Sequence, residues 1–178
     1  MITHVSTVSV SEPVTIREVK DHLRITTAAS DTVLANMITT ARQQAEDFMR
    51  RTIMPSTIVG SIDSLCGDVI DLPFPPLRSV TSITYIDNNG DQQTVAPETY
   101  SLDIPGMRIL RAYGQSWPRG RAEKGSVKIT YVAGYESIAA VPEKIKTAII
   151  LLVEYLYDGH EPSRNAAEAM LWPSRDLR

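Results

Sequence analysis

The sequence is poor in the residues that build covalent or metal-centred frameworks. A single cysteine, Cys66, stands in 178 residues, which excludes an intrachain disulfide and a cysteine-built zinc module. With no paired cysteine and no activating neighbour, Cys66 reads as a buried or semi-buried thiol and not as a nucleophile. The three histidines, His4, His22 and His160, lie on unrelated segments without the HxxxH or HxxEH spacing of a metal site, and solvated or helix-capping roles fit them better. No long apolar run is present. The strongest, Ala148 to Val153, falls far short of the roughly 20 residues a membrane-spanning helix needs. The segment MITHVSTVSV lacks the basic and apolar regions of a signal peptide, so a cytoplasmic chain is expected. Charge of one sign is also lacking. Lys and Arg total 18 against 21 Asp and Glu, a formal net charge of −3, so no global field draws in nucleic acid.

Chemical motifs are equally scarce. There is no P-loop, no GxSxG elbow and no GxGxxG following a strand. Asp87-Asn88-Asn89-Gly90-Asp91 resembles a calcium loop only superficially, because its glycine is misplaced and the terminal bidentate Glu is missing. Asp63, Asp68, Asp71 and Asp103 are acid/base candidates by type, but no spacing argument pairs them. No catalytic residue, metal ligand or cofactor is therefore expected. An enzyme, in the form of a small cytoplasmic hydrolase without a recognisable motif, stays open as an alternative.

What is present is an ordinary globular composition, 43% hydrophobic and 22% charged, in a definite order. Residues 1–13 read as an extended arm. Thr15 and Glu18 have capping-box spacing ahead of Ile16, Val19 and Leu23, giving a short first helix. Ser30 and Asp31 offer the next N-cap, and Leu34, Ile38, Ala41, Ala45 and Phe48 recur at steps of four and three. This predicts a long amphipathic helix to about Arg51, with Glu46 and Arg50 as an i,i+4 pair and Pro55 beyond its end. From 56 to 134 the chain turns to β-branched runs, with Asn89-Gly90 and Pro105-Gly106 as turns and the alternating SVKITYVA as the closing strand. Pro142 fits a first helical position, and the helix from there to Asp158 is apolar nearly all round. Ile145, Ala148, Ile149, Leu152 and Leu156 form one face, while Ile150, Leu151 and Val153 cover much of the rest. Such a helix is buried from two sides, either wholly by its own chain or partly by a neighbouring subunit. Ala166 to Leu171 read as a last short helix before a polar tail. The expected fold is α+β: a helical frame of two N-terminal helices and one long C-terminal helix, holding an inserted small antiparallel β module.

One stretch stands out in charge. Arg108, Arg111, Arg119, Arg121, Lys124 and Lys128 are opposed only by Glu123, and the loop YGQSWPRGRAEKG (113–125) has no periodicity. A basic loop of this length, carrying Trp117, suits contact with phosphates or with a partner's groove. A solvated hairpin excursion and a nucleic-acid-binding module are the competing readings.

Taken in order, VTIREVKDHLRI (14–25), LPFPPLRSVTSITYID (72–87), PGMRILRAYGQSWP (105–118), VKITYVAGY (127–135) and VPEKIKTAIILLVEYLYD (141–158) resemble the head-tail connector (adaptor) family of tailed phages and prophages, in its longer form with a β insertion. The resemblance implies one connector domain over 1–178, with an arm at 1–13, helical parts at 14–55 and 141–171, a β insertion at 56–134 and a tail at 172–178. It implies a structural virion protein with no active site. Copies would form a homo-oligomeric ring, a dodecamer on the portal protein, that extends the DNA channel toward a neck or tail-completion protein at the head-tail junction, assembled in the host cytoplasm. On this reading Ile149, Ile150, Leu151 and Val153 are expected at a subunit interface, Arg108, Arg111, Arg119, Arg121 and Lys124 at the DNA channel or a partner, and Leu171, Trp172 and Leu177 at the portal.

Overall fold

A computed structural model describes the backbone of residues 2–8 and all of residues 11–27 and 30–177. The expected α+β class holds: four helices accompany two small antiparallel sheets. The described residues divide into two compact units. A β unit is formed by 2–8 and 55–134, and a helical unit by 11–54 and 135–177.

In the helical unit, α1 (Ile16–Leu23) begins at the expected capping box. The Thr15 hydroxyl accepts from the Glu18 amide at 3.2 Å, and Glu18 accepts from the Thr15 amide at 2.6 Å. Helix α2 (Asp31–Met49) buries Leu34, Ile38, Ala41 and Ala45 at the spacing read from the sequence, but Met49 and not Phe48 is the last buried apolar residue; Phe48 is only partly buried. It stops at Met49, because Arg50 turns left-handed (φ 52°) and donates its N–H back to Asp47 and Glu46. The expected Glu46–Arg50 pair is replaced by Glu46 with Arg42, one turn earlier. Helix α3 (Glu143–Asp158) starts one residue later than expected, with Pro142 as its N-cap and not its first helical residue, and has Gly159 (φ 71°) as its C-cap. Helix α4 (Glu161–Leu171) starts five residues earlier than expected, with Pro162 in its first turn, where a missing N–H removes no helical bond. These helices share one core, in which Val19, Leu34, Ile38, Met49, Ile145, Ile149, Leu152, Val153 and Leu171 are buried.

The β unit carries a five-stranded sheet in the order β1-β2-β8-β4-β5 and a three-stranded sheet β3-β7-β6. The strands are β1 (Ile2–Val8), β2 (Ser56–Ile62), β3 (Val69–Asp71), β4 (Leu77–Ile86), β5 (Gln92–Thr94), β6 (Tyr100–Asp103), β7 (Arg108–Arg111) and β8 (Val127–Ala133). Strand β8 is central and alternates as its sequence does, burying Val127, Ile129, Tyr131 and Ala133. Between β4 and β5, Gly90 (φ 97°) makes the turn, and Asp87 accepts from the amides of Asn89 and Asp91 at 2.9 and 3.0 Å. This pairing is the hairpin use of the DNNGD segment. Residues of both sheets meet in one core, including Ile58, Ile70, Ile83, Ile109, Ile129 and Tyr131, whose hydroxyl donates to the Pro73 carbonyl at 2.9 Å.

Candidate functional site

The four aspartates with acid/base potential are each committed elsewhere. Strand register places Asp71 opposite Arg108, and the pair closes at 2.9 Å through Arg108 Nε. Asp68 holds Arg111 Nε at 2.9 Å. Asp63 accepts from the Gly125 amide at 2.8 Å, and Asp103 from the Gly106 amide at 3.0 Å, so both tie down turns. Among the described residues no group of three or more His, Cys, Asp or Glu is placed to hold a metal ion, and no helix is long and apolar enough to cross a membrane. Cys66 is exposed.

The basic stretch is divided by these pairings. Arg108 and Arg111 belong to strand β7 and are neutralised by β3 and its approach. Arg121 donates to the Asn88 carbonyl at 3.2 Å, while Arg119 and Lys124 are exposed. The 113–125 loop is anchored rather than loosely solvated. Trp117 Nε1 donates to the Gly67 carbonyl at 2.8 Å, and the Arg121 amide donates to the Ile86 carbonyl at 2.9 Å.

Of the residues expected at a subunit interface, Ile149 and Val153 are fully enclosed in the helical unit's own core. They present no surface to a neighbour. Ile150 and Leu151 remain half-buried on the outer part of α3. The expected portal residues also separate. Leu171 is a core residue at 1% exposure, whereas Trp172 and Leu177 are 61% and 83% exposed. The Trp172 ring lies 6.3 Å from that of Phe48, and the Arg175 guanidinium sits over both, 4.7 Å from Trp172 and 5.1 Å from Phe48. Beside this stack, a cavity of about 300 Å³ opens between α2, α3 and α4, lined by Phe48, Leu152, Tyr155, Arg164, Glu168 and Leu171.

Sequence reading missed a polar cluster drawn from three helices. Glu154 Oε2 on α3 lies 3.1 Å from His22 Nε2 on α1 and accepts from the Ser163 hydroxyl on α4 at 2.7 Å. His160 Nδ1, at the N-cap of α4, is 2.7 Å from the same hydroxyl. The Ser163 and His22 hydrogen bonds hold the Glu154 carboxyl below its ordinary range. The cluster joins helices; with Ser163 buried and donating to a carboxylate, it does not form an exposed, activated hydroxyl. No local signal marks it, because His22 stands 132 positions from Glu154.

An α+β chain whose polar groups are spent on holding elements together, and whose exposed aromatic and basic groups lie on surfaces, has the makings of a structural and interaction protein. The chain belongs to the head completion protein family, whose model matches residues 12–167. This is a family of structural virion proteins of the head-tail connection. No curated protein matches the chain. Solved structures show the same fold. A chain from the virion of a native gene transfer agent (GTA) particle superposes with a TM-score of 0.81 at 23% identity, covering 100% of this chain and 97% of that one. A chain from the neck of the empty GTA particle, computed with C6 symmetry, gives 0.80 at 23% identity with the same coverage. A chain from the neck of the native GTA particle, computed with C12 symmetry, gives 0.76 at 24% identity over 98% of this chain and 96% of that one.

Proposed function

We propose that this protein is a ring-forming head-tail adaptor. Copies close into a ring against the portal protein, the ring continues the DNA channel, and its far face receives a neck or tail-completion protein. The observation that carries the reading is the family match over nearly the whole chain, residues 12–167. The fold shared with chains of GTA particles supports it, and the sixfold and twelvefold symmetry of those necks is compatible with a dodecamer on the portal. Within this reading the subunit interface uses Ile150 and Leu151, since Ile149 and Val153 are enclosed. The portal-facing contact uses Trp172 and Leu177, an exposed aromatic and an exposed aliphatic group of the kind that anchors protein interfaces. Arg119, Arg121 and Lys124 remain available to DNA or to a partner, whereas Arg108 and Arg111 are held by aspartates.

The test is co-elution with the purified portal protein on a sizing column. Wild type is expected to co-elute. The double variant Trp172→Ala, Leu177→Ala, which removes two largely exposed side chains and, of the packing, only the Trp172 stack with Phe48 and Arg175, is expected to lose most of the complex while keeping its circular dichroism spectrum. Equal co-elution of the variant would remove the tail from the portal contact. No co-elution of wild type would count against the adaptor reading itself.

A further inference from the structure

The fold treats the basic residues of 108–128 unequally. Arg108 and Arg111 are neutralised by Asp71 and Asp68. Arg121 reaches only the Asn88 carbonyl and, at 3.9 Å, the Glu123 carboxylate, too far for a hydrogen bond. Arg119 and Lys124 have no hydrogen-bond or ion-pair partner among the described residues. Uncompensated positive charge therefore collects at 119–124. Arg119 and Arg121 border a cavity of about 350 Å³ whose other walls include Leu65, Tyr85, Trp117 and Pro118. The loop that forms one wall is fixed at both ends, by Trp117 to Gly67 and by Arg121 to Ile86. Between them Gly120 lies against β4, where a Cβ would stand 2.6 Å from the Ile86 carbonyl oxygen and 2.8 Å from the Tyr85 ring. Only glycine permits so close an approach, and its two neighbours in sequence, Arg119 and Arg121, both border the cavity.

We propose that this cavity is a docking site for an acidic side chain on an extended segment of a partner protein. The carboxylate is received by Arg119 and Arg121. Its methylene stem, with an apolar neighbour, lies on Trp117, Tyr85 and Leu65. Charge selects an anion, and bidentate guanidinium geometry favours a carboxylate or phosphate. Shape selects protein over DNA. Duplex phosphates run along a convex rod and are met by side chains reaching outward, whereas a concave site that sets Leu65, Tyr85 and Trp117 beside two guanidinium groups suits a side chain with an apolar stem and a charged tip. The proposal rests on the adaptor reading only in making the partner a virion protein; the chemistry of the cavity stands by itself.

The experiment is a titration of the full chain followed by amide NMR, with the Trp117 indole and the Gly120 amide as reporters. The probes are the capped tetrapeptide Ac-Leu-Glu-Leu-Gly-NH2, its Gln analogue and a short DNA duplex. Saturable shifts of both reporters are expected with the Glu peptide. Binding is expected to be weaker by about tenfold or more for the Gln analogue and for the Arg119→Gln variant, the usual scale for losing a charge-assisted contact. Arg119 is exposed and unpartnered, so this variant keeps its fold. No saturable shift, equal response to both peptides, or reporters that answer to DNA more strongly than to the Glu peptide would each overturn the proposal. Portal co-elution is read separately, so either idea can fail while the other stands.

Discussion

Arg42 is 3% exposed, yet it carries a full charge between Glu12 Oε2 at 2.7 Å and Glu46 Oε2 at 2.6 Å. Burial pushes the Glu46 carboxyl up, while the Ile53 amide at 2.7 Å and Arg42 favour its charged form. Removing one partner of such a buried group leaves the others uncompensated. Arg42→Ala is expected to destabilise the helical unit by about 3–5 kcal/mol, read as a lower urea midpoint. A loss under 1 kcal/mol would show that water replaces the guanidinium. Sequence spacing paired Glu46 with Arg50, but the fold pairs it with Arg42, the other residue at i,i+4. The choice was made by the helix end, because the left-handed turn at Arg50 takes that side chain off the helix. Glu154 supplies a second test at this scale. Its folded-state pKa lies below the ordinary 4.5, chiefly through Ser163 and then His22. A carboxyl depressed on folding stabilises above its unfolded pKa, and that contribution disappears as pH falls through the lowered folded value. Wild type should therefore lose stability as pH drops below the ordinary carboxylate range, and Ser163→Ala should flatten that loss in thermal melts across acid pH. An unchanged acid profile would dismiss the Glu154 linkage.

At the scale of elements, α3 shows what an all-round apolar helix means. Its pattern allowed enclosure by its own chain or a shared interface. The structure assigns Ile149 and Val153 to the interior and leaves Ile150 and Leu151 half-buried. Ile149→Ala is expected to cost about 2–5 kcal/mol of unfolding free energy, as a buried aliphatic truncation does. Leu151→Glu, at the half-buried position, is expected to leave a folded chain that assembles poorly, as seen by circular dichroism beside light scattering. Normal assembly by that variant would clear α3 from the subunit interface. Helices α1 and α2 were legible because capping box and apolar spacing are local. The start of α4 was not. The sequence reading begins it at Ala166, whereas the helix starts at Glu161, with Pro162 in a first turn where it removes no bond. The β module was legible as a run of strands and turns, while its division into two sheets, their strand order and the facing of Asp71 to Arg108 needed register, which no single segment contains. The loop at 119–121 gives a further expectation. Gly120→Ala would force a Cβ into the Ile86 carbonyl, so faster hydrogen exchange at the Arg121 amide should follow, and unchanged protection would mean the loop shifts without cost.

For the molecule as a whole, a net charge of −3 proved a poor guide to its surfaces. The charge is distributed by pairing. Aspartates cancel Arg108 and Arg111, buried Arg42 is held between the partly exposed Glu12 and Glu46, and Arg119 and Arg121 border one cavity. The connector family was readable from the succession of segments, because their order is a property of the chain. The candidate surfaces were only partly readable. Exposure depends on which face of a helix or strand the rest of the chain covers, and this moved Ile149, Val153 and Leu171 inside. The central claim is that copies of this chain form a ring on the portal. Negative-stain electron microscopy of the chain mixed with purified portal, at high protein concentration, tests it most directly. The account predicts rings stacked coaxially on the portal, with native mass spectrometry giving a multiple of the 19.7 kDa chain. A strict monomer that leaves the portal bare under these conditions would contradict it.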